Sequence, residues 1–177
     1  MLAFDTETTG LLRPGATELW LQPFIIEIYM AKLNDEFEII DEFDQLIKPP
    51  VPISEEITGI TGITNEMVEG SPSFIQIYPD LCDFVCGEEK IFAHNCTFDI
   101  SMLENELARH DLVNKFPWPS EHICTVEASF PLENKRLTLA KLYKIATGRD
   151  IVDAHRARND VVQMTECIEW LHSKELV

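Results

Sequence analysis

Apolar positions along the chain follow two periods, and the change from one to the other marks out the elements. Leu2-Ala3-Phe4 is a short apolar run leading into Asp5, the pattern of a buried strand that ends on a carboxylate. Residues 24–33, FIIEIYMAKL, are rich in β-branched and aromatic side chains, and a strand there sets Ile26, Ile28 and Met30 on one side. Asn34-Asp35 supplies a turn, and residues 37–47 read as the returning strand of a hairpin, closed by Pro49, Pro50 and Pro52. No period is sustained over residues 51–72, which are expected to be irregular with a short helix near Asn65. Helical spacing then takes over, with Phe74, Tyr78, Leu81 and Val85 in a helix over 72–86. Ile91-Phe92-Ala93 is a buried-type strand, and residues 97–110 form a helix with Ile100, Leu103 and Leu107 as its apolar stripe. Ile123-Cys124 makes a short fifth strand. Helices follow over 138–147, carrying Leu139, Leu142 and Ile145, and over 155–173, with Val161, Met164, Ile168 and Leu171 inward.

This order predicts an α/β fold: a mixed five-stranded sheet, its first three strands antiparallel, flanked by helices. No repeat, low-complexity stretch or linker divides the chain, so residues 1–177 are expected to form a single domain. Ligand sites in such sheets gather at strand ends beside helix starts.

Three groups of residues stand at such places. Side chains two apart in a strand point the same way, so Asp5 and Glu7 leave one face at the end of the first strand. Paired carboxylates repel unless a cation lies between them, and magnesium and manganese favour such oxygen ligands. A solvated strand end is the plain alternative. Thr8-Thr9-Gly10 follows, and a glycine there suits close backbone approach by a ligand. His94-Asn95-Cys96-Thr97-Phe98-Asp99 spans the passage from strand to helix, where Asn95 or Thr97 can cap the helix. Asp99 lies in its first turn and on its own does no more than complement the helix dipole, and His94 reads as a structural residue of the turn. Asp153-Ala154-His155 opens the last helix, with Asp160 about one and a half turns in. His155 and Asp160 do not share a face of an ideal helix. If they serve one site, His155 belongs at the helix start or on the approaching loop, free to move in as a base.

Composition narrows the setting. With 45 % hydrophobic and 25 % charged residues the chain is of ordinary globular make-up. No apolar run approaches the roughly 18 residues of a membrane span, and MLAFDTETTG has no signal-peptide features, so a cytoplasmic protein is expected. Five cysteines, Cys82, Cys86, Cys96, Cys124 and Cys167, match no zinc pattern and read as free thiols of a reducing compartment. The net charge of −17 argues against a broad basic face and favours a small-molecule enzyme or a protein partner. The bases are uneven, however: Arg109, Lys115, Lys135, Arg136, Lys141, Lys144, Arg149, Arg156 and Arg158 lie in one stretch, enough for a local patch with weak, salt-sensitive hold on a long polyanion.

Each motif alone is weak, but their joint order is specific. FDTETTG, then HNCTFD, then His155 and Asp160 resembles the DEDDh class of 3′–5′ exonucleases, the DnaQ-like family. Ile60-Thr61-Gly62-Ile63-Thr64, Pro72-Ser73-Phe74 and Leu137-Thr138-Leu139-Ala140-Lys141-Leu142 extend the resemblance through nearly the whole chain. It implies a ribonuclease H-like fold and a metal-dependent exonuclease releasing 5′-mononucleotides from 3′ ends. Asp5, Glu7, Asp99 and Asp160 would hold two Mg²⁺ ions, with Mn²⁺ as a substitute, and His155 would be the general base. Thr8, Thr9 and Gly10 would hold the terminal nucleotide, and Leu11 would wedge against its base. Ile60, Ile63, Asn95 and Phe98 would line the pocket. Single-stranded or frayed 3′ ends of DNA are the implied substrate, with an RNA-trimming, oligoribonuclease-like enzyme as the alternative and a non-catalytic end-binding or partner-binding module as a third reading. Arg158 and Val161 depart from the family pattern, Arg158 being expected to face solvent or touch a phosphate. A polymerase partner fits the family, although no tether follows the last helix. Leu19–Phe24, with Trp20, reads first as core, with a substrate contact or a dimer surface as the alternatives.

Overall fold

The computed structural model describes residues 1–152 and 156–177. Its centre is a five-stranded sheet in the order β3-β2-β1-β4-β5. β1 (Leu2–Thr8), β2 (Ile25–Leu33) and β3 (Ile39–Leu46) run antiparallel, and β4 (Lys90–Ala93) and β5 (Glu121–Cys124) continue the sheet parallel to β1. This is the mixed sheet that the hydrophobic pattern predicts.

Helices cover both faces. On one, Leu2, Phe4, Ile28, Met30 and Ile91 pack against α3 (Phe74–Val85) and α4 (Cys96–Ala108) through Phe74, Ile77, Leu81, Met102, Leu103 and Leu107. On the other, Ala3, Tyr29, Ala31, Leu33 and Phe92 meet Ala157, Val161, Met164 and Ile168 of α7 (Ala157–Ser173). α6 (Leu139–Thr147) packs outside α7. The odd residues of β1 therefore face α7 and the even ones face α3 and α4, as strand alternation requires.

Several expectations need correction. Ile26 does not share a cluster with Ile28 and Met30. The register between β1 and β2 slips at Glu7/Thr8, which turns Ile25 toward that core and sends Ile26 to a small separate one with Ile53, Ile63 and Val68. The segment after the prolines is not irregular: α1 (Glu55–Thr61) starts on Ser54, whose hydroxyl accepts the amide of Ile57, and stops at Gly62 with φ +73°. α2 (Asn65–Val68) is the expected short helix, and α5 (Thr125–Glu133) is an additional one. Trp20 is 69 % exposed on a turn and is not core. Among the described residues no helix is long and apolar enough to cross a membrane.

Candidate active site

The site forms where the carboxyl end of β1 meets the first turns of α4 and α7. Asp5 and Glu7 project from β1 toward α7, Asp5 paired across the sheet with Tyr29 and Glu7 with Glu27. Asp160 lies in the first turn of α7. Among the described residues, Asp5, Glu7 and Asp160 each offer an oxygen within 4.8 Å of the others, a spacing that suits one divalent ion.

Asp99 approaches from the opposite layer. It is buried in the first turn of α4, and its Oδ1 accepts both the backbone N–H of Thr6 (3.0 Å) and the Thr6 hydroxyl (2.8 Å). Thr6, whose side chain points away from Asp5 and Glu7, thus locks one Asp99 oxygen while its neighbours face the cluster. Asp99 lies close enough to Asp5 to raise its pKa, but it is not one of the three in mutual contact.

Electrostatics show what the arrangement favours. Burial, followed by repulsion from Asp99, Glu7, Asp160 and Glu27, holds the Asp5 carboxyl well above its usual range. Burial also pushes Glu7 up to about 8, with Asp160, Glu27 and Asp99 adding to it and Arg156 opposing. Asp99 rises to about 7 through burial, restrained by the Thr6 hydrogen bonds. Several carboxylates that repel one another in a half-dry site are hard oxygen donors wanting a cation of matching hardness, which the donor set of Asp5, Glu7 and Asp160 fits.

One pair escaped the sequence reading. Glu27, only 1 % exposed, takes Arg156 across both its oxygens (Nη2 to Oε1 2.6 Å, Nε to each 3.2 Å) and accepts the Ala157 amide at 3.0 Å. The available signal was a lone acid inside the apolar run FIIEIYMAKL, since a buried charge requires a partner. Arg158 faces solvent as expected, and there it pairs with Glu42 of β3 at 3.2 Å. His94 is indeed a turn residue: its Nδ1 lies 2.8 Å from the Thr125 hydroxyl, and burial lowers its pKa to about 4.

The residues expected to hold substrate divide in two. Thr8 donates its hydroxyl to the Gly10 carbonyl (2.7 Å), and Thr9 exchanges hydrogen bonds with Phe24, so the loop leaving β1 is pinned to β2. Leu11, 80 % exposed, projects from that loop. Ile60 is 50 % exposed, whereas Ile63 is fully buried with Ile26 and Ile53, so it supports the loop and offers no side chain to a ligand. Asn95 occupies the N-cap position of α4 in the left-handed conformation (φ +67°), yet its side chain does not cap: it accepts from Arg136 Nη2 (2.9 Å). Phe98 is half-buried against the core. Asp153, Ala154 and His155, the expected general base, lie outside the described residues.

Comparison with known proteins adds three findings. The family model RNase_T, described as Exonuclease, matches residues 2–167. A DNA polymerase III PolC-type of Lacticaseibacillus paracasei is 34 % identical over 164 residues, 90 % of this chain and 10 % of that protein. Another, of Clostridium perfringens, is 30 % identical over 174 residues, 98 % of this chain and 11 % of that protein. The chain thus spans about a tenth of the length of these curated relatives. Among solved structures, Exonuclease X in complex with 5′ overhanging duplex DNA superposes with a TM-score of 0.68 at 24 % identity, covering 98 % of this chain and 91 % of that one. The nuclease domain of 3′hExo, a DEDDh family member bound to rAMP, gives 0.79 at 18 % identity, with coverage of 98 % and 91 %. These two likenesses establish the ribonuclease H-like fold.

Proposed function

The chain belongs to the RNase_T exonuclease family, and from that premise we propose that residues 1–177 act as one 3′–5′ exonuclease domain. It hydrolyses phosphodiester bonds at single-stranded or frayed 3′ ends of DNA and releases 5′-mononucleotides by two-metal chemistry. The observation that carries this reading is the convergence of Asp5, Glu7 and Asp160 within 4.8 Å, with buried Asp99 beside Asp5.

Asp5, Glu7, Asp160 and the unlocked oxygen of Asp99 would hold Mg²⁺ or Mn²⁺. Two such ions, when bound, supply an acidified water and charge relief on the departing oxygen. Thr6 keeps Asp99 oriented toward the cluster, and the pinned backbone of Thr8 and Thr9 presents the loop that receives the terminal nucleotide. Leu11, on the exposed edge of that loop, and Ile60 press on the last base, which favours an end already unpaired. His155 accepts the proton of the attacking water, a role imidazole can fill at neutral pH. A DNA substrate and a polymerase setting are supported by the PolC-type relatives.

The test is digestion of 5′-labelled single-stranded DNA, and of RNA with the same sequence, in magnesium, manganese or chelator, beside Asp160→Asn. A ladder shortening from the 3′ end, abolished by chelator and by the variant, is expected, with DNA degraded faster. Faster loss of RNA would move the substrate to the ribonucleotide class. Label left intact in every condition, or a variant as fast as the parent, would overturn the assignment.

A further inference from the structure

Glu27 is in a costly position. It sits in the interior of β2, buried, directly across the strand pair from Glu7, where like charges repel. It raises the pKa of Asp5, Glu7 and Asp44 alike, so it worsens the charge problem of the site it adjoins. It is also poorly placed to help hold an ion: both oxygens are committed to Arg156, one of them also to the Ala157 amide, and it falls outside the group of Asp5, Glu7 and Asp160.

What those bonds do hold is the start of α7. Arg156 is the N-cap residue of the helix and its own side chain caps nothing. The first helical amide, that of Ala157, is satisfied by Glu27 from a strand 130 residues away in sequence. A carboxylate at this end also suits the helix dipole. The next link is short, because the Asp160 amide donates to the Arg156 carbonyl at 3.0 Å. Glu27 is therefore joined to Asp160 by two links through Arg156, one side-chain and one backbone. The guanidinium fork fixes both distance and direction in a way a single point contact does not. Ala157, Val161, Met164 and Ile168 pack α7 against the sheet, and the Glu27 bonds add polar, directional contacts at its first turn.

We propose that Glu27 and Arg156 are positioning residues: together they set the rise and rotation of the first turn of α7, and so hold Asp160 against Asp5 and Glu7. This rests on the exonuclease reading above.

Four variants test it: Glu27→Gln, Arg156→Gln, the two combined, and Arg156→Lys. Three readouts are taken: Mn²⁺ affinity of the chain without substrate, by electron paramagnetic resonance; kcat and KM on a short single-stranded oligonucleotide; and melting temperature. Loss of a partner that orients a metal ligand lowers metal affinity or turnover by about 10–100-fold. We expect that loss in Mn²⁺ affinity and kcat for Glu27→Gln and Arg156→Gln, with KM changed little. The double variant is expected to be no worse than the more severe single one, since both remove one unit. Arg156→Lys keeps the charge without the fork and should fall between. Asp160→Asn runs alongside: if it too kept full turnover, the exonuclease site would have failed rather than the clamp. Wild-type Mn²⁺ affinity and kcat in a folded Glu27→Gln protein would overturn the proposal. So would a loss of kcat in all variants that merely tracks the unfolded fraction at the assay temperature.

Discussion

With divalent ions removed by chelator, the protein should lose stability as pH rises from 6.5 to 8. The sign follows from the site. Glu7 keeps its proton up to about 8 against an ordinary 4.5, and Asp99 up to about 7 against 3.8. A carboxyl whose folded pKa is raised binds its proton more tightly in the fold than in the unfolded chain. Its stabilising contribution is complete below the unfolded value and is lost as pH climbs through the folded one. His94 works in the opposite sense: its imidazole is lowered from 6.5 to about 4, so stability increases with pH across that window and is constant above it. Below pH 6.5 the two effects oppose each other; above it only the carboxylates act. At about 1.4 kcal/mol per pH unit, Glu7 forfeits about 2 kcal/mol between pH 6.5 and 8, and Asp99 less than 1 kcal/mol. Because the carboxylates titrate jointly, about 2–3 kcal/mol is expected for the cluster. In a chain of this size that corresponds to a fall of roughly 5–10 °C in Tm. Melts followed by circular dichroism at pH 6.5, 7.2 and 8 in chelator measure it. Saturating Mg²⁺ should abolish the fall, since an ion displaces the protons, and Glu7→Gln should flatten most of it. A Tm in chelator that is level or rises over this range, or falls equally in Glu7→Gln, would refute the reasoning.

Thr6→Val keeps the side-chain shape and removes one of the two hydrogen bonds to Asp99. A bond to a charged acceptor contributes about 1.5–3 kcal/mol, and its loss favours the protonated acid. The acidic limb of the pH–rate profile at subsaturating Mg²⁺ should therefore move to higher pH, and an unchanged limb would contradict the role given to Thr6. Ile63→Ala, in the core, should destabilise by about 2–5 kcal/mol, whereas exposed Ile60→Ala should leave the urea midpoint unchanged and raise KM. Equal effects of the two on stability would remove the distinction. Rates on single strands of about 5 and about 30 nucleotides should be similar, with kcat/KM falling against salt less steeply than a slope of about −2, as expected for two or three neutralised phosphates. A much faster, steeply salt-dependent rate on the longer strand would point to a basic track.

Periodicity made the sheet and the three sheet-covering helices α3, α4 and α7 legible, because each buries a continuous stripe. It failed where local chemistry outweighs the stripe. α1 is seven residues long and includes Gly59, so its caps at Ser54 and Gly62 define it, with Ile57 packed against the small core in place of a continuous stripe. α5 carries Pro131, a residue that argues against a helix when read in sequence. The inward side of Ile26 depends on a register slip opposite Glu7 and Thr8, which strict alternation does not contain. At the site, the D-x-E spacing alone was enough to set Asp5 and Glu7 on one face. The approach of Asp99 and Asp160 from opposite layers depends on tertiary packing and was reached only through resemblance. Glu27 and Arg156 are separated by 129 positions, so neither hints at the other, and Arg156 reads in sequence as part of a basic patch.

Apart from Lys115, the bases of that patch pair with acids in the fold, so the charge of −17 has to be reconciled with a polyanionic substrate in another way. Lys135 and Lys141 pair with Glu133, Arg136 with Glu127, Lys144 with Asp150, Arg149 with Glu166, Arg156 with Glu27 and Arg158 with Glu42. Arg109 is taken by Glu106 and by the carbonyls of Leu19, Gln22 and Pro23. Exposed pairs of this kind add little stability, but they cancel the local field that would draw in a phosphate backbone. The same negative excess works differently on cations, since a cluster of carboxylates in a partly dry cleft concentrates divalent ions. Two divalent ions would balance the carboxylates of Asp5, Glu7, Asp99 and Asp160 and so neutralise the site. On this view a nucleic-acid end is attracted only to the loaded site and over little more than a Debye length of about 8 Å, which confines recognition to the terminal nucleotides. The acidity is then compatible with the activity, and it makes substrate binding conditional on metal.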